Sequence, residues 1–216
     1  MEYKHNLYVL LTKTPLKTGK FLRKVTGYEY NHCSISFDKD FKVLYSFSRK
    51  YKNSTFYAGL VKESSLRYTI DNQDTKVKIF KIGLSNEDYK TLKEYINDLE
   101  KHEDEYIYNY LSCITYLFHK QVKVKKAYTC SEFTIHILKD FCKIDNLKQK
   151  NYYSIKELSE KLEEYKIYEG TFNFQNNSWE EDLYLIHQPV LEKLQKTSYI
   201  ITLLIARFFK GLFVRR

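Results

Sequence analysis

Glycine and proline are scarce in this 216-residue chain, at six and two residues, which excludes collagen-like and low-complexity architectures. Cys33, Cys113, Cys130 and Cys142 include no CxxC pair. The six histidines, at 5, 32, 102, 119, 136 and 187, are scattered, so no metal site reads out of the sequence. RNP-type aromatic motifs, zinc-finger spacing and blocks of consecutive basic residues are all missing, which leaves no specific nucleic-acid partner. The N-terminus offers only a short apolar run, Leu7 to Leu11. It lacks the basic start, longer apolar stretch and small-residue cleavage site of a signal peptide. The expectation is a cytoplasmic chain with reduced thiols.

What the chain does have is apolar and aromatic mass. Hydrophobic residues make up 43% and aromatics 17%, which excludes intrinsic disorder. The length suits one domain with decorations. A net charge of +9 favours anionic partners in general without choosing between a membrane surface and nucleic acid.

The first half reads as strands. Leu7 to Lys13 is a short run of strand formers, and Lys17 to Val25 is a basic helix candidate ending before Gly27. Asn31 to Phe37 alternates, with His32, Ser34 and Ser36 on one face and Cys33, Ile35 and Phe37 on the other, the period of a half-buried strand. After a turn at 38–40, Lys42 to Phe47 alternates again and completes a hairpin. Phe56 to Val61 and Lys76 to Ile82 are further strands. The second half reads as helices: one capped by Ser85 and running to about Glu100, then Tyr106 to Phe118, Thr129 to Phe141, and Ser154 to Leu162. Tyr165 to Glu169 is a closing strand. A polar stretch near 170–178 separates residues 1–170 from a linker and helical tail at 171–216. The fold class is α+β, an antiparallel sheet packed against helices.

Thr129-Cys130-Ser131-Glu132 is the informative tetrapeptide. Thr-x-x-Glu is a capping box, so Cys130 stands first on its helix. There it meets unpaired backbone N–H groups and the positive end of the helix dipole. Both favour the thiolate, which is the nucleophilic form. The same N–H groups suit an oxyanion formed on an attacked carbonyl. A thiolate nucleophile needs a base, and His32, on the polar face of its strand, is the best placed. His136 is almost two turns along the Cys130 helix, His102 lies in a charged run, and His119 stands at the end of an apolar helix. If the apolar sets of the hairpin share one face, Ser46 falls opposite His32 and orients its ring.

Three segments together carry a resemblance: Asn31-His32-Cys33-Ser34-Ile35-Ser36, Leu44-Tyr45-Ser46-Phe47-Ser48-Arg49 and Tyr128-Thr129-Cys130-Ser131-Glu132-Phe133. They resemble the permuted papain-like cysteine hydrolases, the circularly permuted NlpC-type superfamily that includes the YiiX-like and lecithin–retinol acyltransferase groups. The resemblance spans roughly residues 5 to 142. It implies a permuted papain-like fold with His before Cys in chain order. It also implies Cys130 as nucleophile and His32 as base, acting without metal or organic cofactor on a peptide or lipid amide or ester. Family members often carry His or Glu on the strand after the His strand. Here that strand has neither, which leaves Ser46, Tyr45 or water to orient His32. Glu132 is explained as the cap partner. Arg49 is a candidate for an anionic substrate group or a surface ion pair. The alternative is a catalytically inert domain that binds lipid or a protein partner at a membrane.

The tail, Tyr199 to Arg216, is strongly apolar, but Arg207 sits near its middle. A span needs about 20 apolar residues, and an Arg at mid-helix costs roughly 2.5–3.5 kcal/mol. The tail therefore reads either as a helix docked on the domain or as one lying in a membrane interface, ahead of a true span.

Overall fold

Strand-forming alternation in the first half and capped, apolar-periodic segments in the second sort into one sheet and the helices that cover it. The computed structural model describes residues 4–68, 75–116, 120–150, 152–173, 182, 184 and 186–214. Its eight strands are β1 (His5–Thr12), β2 (His32–Ser36), β3 (Val43–Arg49), β4 (Ala58–Ser64), β5 (Thr75–Leu84), β6 (Ile107–Tyr108), β7 (Ala127–Tyr128) and β8 (Lys166–Phe172). They form a single sheet in the order β7-β6-β4-β3-β2-β1-β5-β8, antiparallel throughout except for the β6–β7 pair. The helices are α1 (Lys17–Thr26), α2 (Asn86–Lys101), α3 (Tyr110–Thr115), α4 (Cys130–Asp140), α5 (Ile155–Lys161) and α6 (Val190–Val214).

Local chemistry sets the boundaries. Ser85, Thr129 and Ser154 cap α2, α4 and α5 by accepting the N–H three residues on, which satisfies donors the first turn leaves open. Gly27 ends α1 in the left-handed region, at φ 62°, with its N–H on the Arg23 carbonyl, a conformation that costs glycine little. Gly59 lets β4 approach β6, because a Cβ there would collide with the Tyr106 carbonyl.

The main core lies between one sheet face and α2, α4 and α5. Leu7, Val9, Cys33, Ile35, Phe47, Phe80 and Ile82 meet Leu92, Ile96, Phe133, Ile137 and Leu158 there. Phe133 fixes α4 on the sheet: its ring is fully buried, with its centre 5.2 Å from that of Phe47. Burial of such a ring contributes about 1.5–3 kcal/mol. The other face carries a smaller core of Tyr8, Leu10, Phe41, Leu44, Tyr68, Val77 and Ile79.

Two expectations are corrected. The segment from Tyr106 to Phe118 is not one helix. Ile107 and Tyr108 form β6, and Asn109 caps a short α3 by accepting the Ser112 N–H; an Asx cap interrupts the apolar period. Residues 117 and 118 lie outside the described residues. Likewise β2 is not half-buried. All five of its residues are buried, because Tyr68 and the smaller core cover the face that carries its serines. The 170–178 boundary falls across the end of β8 and then outside the described residues.

Candidate active site

Cys130 and His32 meet. α4 packs across β2 and β3, which brings its N-terminus to the start of β2, where His32 stands first. The capping box is complete: Thr129 Oγ1 accepts the Glu132 N–H at 3.2 Å, and Glu132 Oε2 accepts the Thr129 N–H at 2.7 Å. Cys130 is thereby held as the first helical residue, with its thiol close enough to the His32 ring for each to shift the other's titration. Only 6% of Cys130 and 8% of His32 are exposed.

The group that orients His32 is Glu63. His32 Nε2 donates to Glu63 Oε1 at 3.2 Å and lies 3.4 Å from Oε2. Ser46, placed opposite His32 by the sequence, is one layer removed: its hydroxyl donates to Glu63 Oε1 at 2.6 Å. The hairpin does pair odd with odd residues, as Ile35 faces Tyr45. Continuing that register sets Ser34 opposite Ser46 and His32 opposite Ser48. Ser48 also donates to Glu63 Oε1 at 2.6 Å, and Tyr68 donates to Oε2 at 2.5 Å. Arg67 Nη1 stands 3.8 Å from Oε1. A fully buried carboxylate thus gathers three hydroxyls, an imidazole and a guanidinium, which is what keeps such a charge tolerable.

The electrostatics follow from those contacts. Burial works to raise the Glu63 carboxyl, but the charge and hydrogen bond of His32, the Arg67 charge and the Ser46 hydroxyl hold it well below the usual carboxylate range. Burial also opposes charge on His32. The Glu63 charge and the hydrogen bonds to Cys130 and Glu63 outweigh it and push the ring up to about 10. At Cys130 the hydrogen bond from the Cys33 thiol comes first; burial opposes it, and the His32 hydrogen bond and charge reinforce it. The Cys130 thiol is held well below its ordinary range. These directions favour thiolate on Cys130, imidazolium on His32 and carboxylate on Glu63. Since Nε2 is held by Glu63, Nδ1 is the ring nitrogen left for the sulfur.

Tyr108, Cys113 and Tyr116 are each raised first by burial and then in part by the charge on Cys130. Arg49 reaches the Thr18 hydroxyl at 3.4 Å. His136 serves elsewhere, bonded to Asp140 at 2.6 Å and to Tyr95 at 3.0 Å. His102 bonds Asp98, and His119 lies outside the described residues. No group of three or more His, Cys, Asp or Glu side chains is placed to hold a metal ion among the described residues.

Comparison with family models, curated proteins and solved structures finds no match. The geometry therefore carries the functional argument alone. Sequence reasoning missed Glu63, Tyr68, Arg67 and Cys33. One signal for Glu63 was available: it keeps the inward phase of Val61 two residues earlier, and extending that strand by three residues would have included it.

Proposed function

We propose that this chain is a thiol-dependent hydrolase or acyltransferase with a permuted papain-like arrangement, acting on an amide or ester. The observation that carries it is the buried chain Cys130–His32–Glu63: an acidified sulfur at a helix start, a base in contact with it, and a carboxylate fixing that base. Cys130 attacks the carbonyl carbon, and the oxyanion is met by N–H groups at the start of α4. The cap engages the Glu132 N–H and the first turn engages that of Phe133, which leaves those of Cys130 and Ser131 for this task. His32 gives its proton to the leaving amine or alcohol, then takes one from water or an acceptor hydroxyl as the acyl-enzyme is resolved.

The test is labelling of the full chain with an iodoacetamide-type electrophile at pH 7. Cys130 is expected to react faster than Cys33, Cys113 and Cys142, and His32→Ala to slow it by about 10²- to 10⁴-fold. Equal reaction of the accessible thiols, or no effect of the His32 change, overturns the reading.

A membrane surface is proposed as the place of action, peripheral and on the cytoplasmic side. No helix is long and apolar enough to cross a membrane among the described residues. One side of α6 docks on the domain through Ile200 and Leu204, against Ile107, Val124 and Ala127, and Arg207 donates to the Glu105 carbonyl at 2.8 Å. The outward side exposes Leu191, Leu194, Ile201, Ile205, Phe209 and Leu212. The helix carries one acid, Glu192, against Lys193, Lys196, Arg207 and Lys210. That combination suits an anionic lipid interface. The chain is expected to float with phosphatidylserine-containing vesicles, and a variant carrying Leu194→Asp, Ile201→Asp and Ile205→Asp to stay behind. Wild type remaining with the unbound protein removes the membrane part.

A further inference from the structure

The sulfur of Cys130 has a second thiol against it. Cys33 follows His32 on β2, and its thiol lies near enough to the Cys130 sulfur for each to shift the other's titration. The packing of α4 on β2 explains the meeting. Cys33 Sγ accepts from Thr134 Oγ1 at 3.5 Å. Thr134 is one turn beyond Cys130, so residues 130 and 134 are neighbours on one side of α4. A sulfur resting on Thr134 lies beside Cys130 as a consequence.

The two thiols are unequal. Cys33 is fully buried and Cys130 is 6% exposed. Burial first, then the Cys130 contact, keep Cys33 protonated, while Cys130 is held as thiolate. A thiolate oxidises before a protonated thiol, and a protonated neighbour then resolves the product.

We propose that Cys130 and Cys33 form a reversible disulfide under peroxide, which silences the sulfur nucleophile and shields it from irreversible oxidation. The step balances. The Cys130 thiolate attacks the O–O bond of hydrogen peroxide; an S–O bond forms, the O–O bond breaks, and hydroxide leaves to take up a proton. The Cys33 sulfur then attacks the sulfenic acid; the S–S bond forms and the S–O bond breaks. The departing hydroxyl leaves as water with the Cys33 proton. Two thiols are oxidised, and one peroxide is reduced to two waters. A dithiol reductant reverses the outcome by exchange. Closing the bond draws the start of α4 and the start of β2 together.

This proposal uses the sulfur named above as nucleophile, but it does not need that sulfur to turn over a substrate. The test treats the full chain with stoichiometric hydrogen peroxide, blocks free thiols, digests with trypsin and reads the peptides by mass spectrometry. A peptide pair joined through Cys33 and Cys130 is expected, disappearing on treatment with dithiothreitol, which restores nearly all Cys130 labelling. In Cys33→Ser, given a second equivalent of peroxide, Cys130 is expected to pass from sulfenic to sulfinic acid with almost no recovery. The wild-type arm decides alone if that variant folds poorly. Cys130 joined to Cys113 instead, or sulfinic acid accumulating in wild type, overturns the proposal. A disulfide in a chain without hydrolase activity would overturn the proposed reaction and leave the switch standing.

Discussion

Replacing Glu63 with Gln is expected to slow electrophile labelling of Cys130, and any acyl transfer it supports, by about 10²- to 10⁴-fold at pH 7. The carboxylate charge is what overcomes the burial penalty on a charged His32 ring. Without it, desolvation prevails and the ring deprotonates at lower pH. A neutral His32 no longer supports the Cys130 thiolate through charge, so the nucleophile is lost along with the acid. The pH profile separates this from mere misfolding. In wild type any acyl transfer, which needs the protonated ring as its acid, is expected to fall off only as His32 deprotonates near pH 10. In Glu63→Gln the alkaline limb moves toward neutrality. An unchanged limb would show that Glu63 does not act through His32.

Stability carries the opposite signature at its two ends. The His32 ring binds its proton more tightly when folded than at its ordinary value of 6.5. Its contribution is therefore complete below about pH 6.5 and is lost as pH rises through about 10. Glu63 is depressed below its ordinary 4.5, so its contribution is present above that value and is lost on acidification. The pair stabilises the fold most between about pH 4.5 and 6.5. Glu63→Gln is expected to flatten both flanks and to cost about 3–5 kcal/mol, because it leaves a buried ring without its anion.

The parts of this site that were legible in the sequence are those set by neighbours in the chain. The Thr129–Glu132 box lies within one turn, and it placed Cys130 at a helix start without any tertiary knowledge. The alternation around His32 placed that residue on the serine-bearing face. What reaches His32 on that face depends on β4 lying two strands away, and no local pattern in β2 or β3 encodes it. Ser46 was the nearest polar residue that hairpin reasoning could reach, and it proved to be a donor to the carboxylate rather than to the ring. The burial of β2 was hidden for the same reason: serines at 34, 36 and 46 form the polar face of the hairpin, yet all three are fully buried. The apolar stretch from 106 to 118 misled because a helical period was counted through Asn109, whose side chain starts a new helix.

The largest effect expected away from the catalytic groups is at Asp182, in the extension. Its carboxylate receives Arg67 Nε and Nη2, each at 2.5 Å, together with the Ser64 N–H at 2.8 Å and the Tyr184 N–H at 3.0 Å. Arg67 in turn donates to Ser48 Oγ at 3.1 Å and to the Arg49 carbonyl at 2.9 Å, beside Glu63. Asp182→Ala leaves a guanidinium buried without its bidentate partner, a loss of about 3–5 kcal/mol. For a chain of this length that lowers Tm by about 6–20 °C. Part of the cost lies in the orphaned charge, so the double change Arg67→Met with Asp182→Leu is expected to be milder than Asp182→Ala alone. Catalysis should respond differently from stability. With Asp182 gone, the Arg67 charge still faces Glu63, so the alkaline limb of any acyl transfer stays where it is in folded protein. A melting temperature within about 2 °C of wild type would show that Asp182 and Tyr184 merely lie on the sheet and do not clamp it.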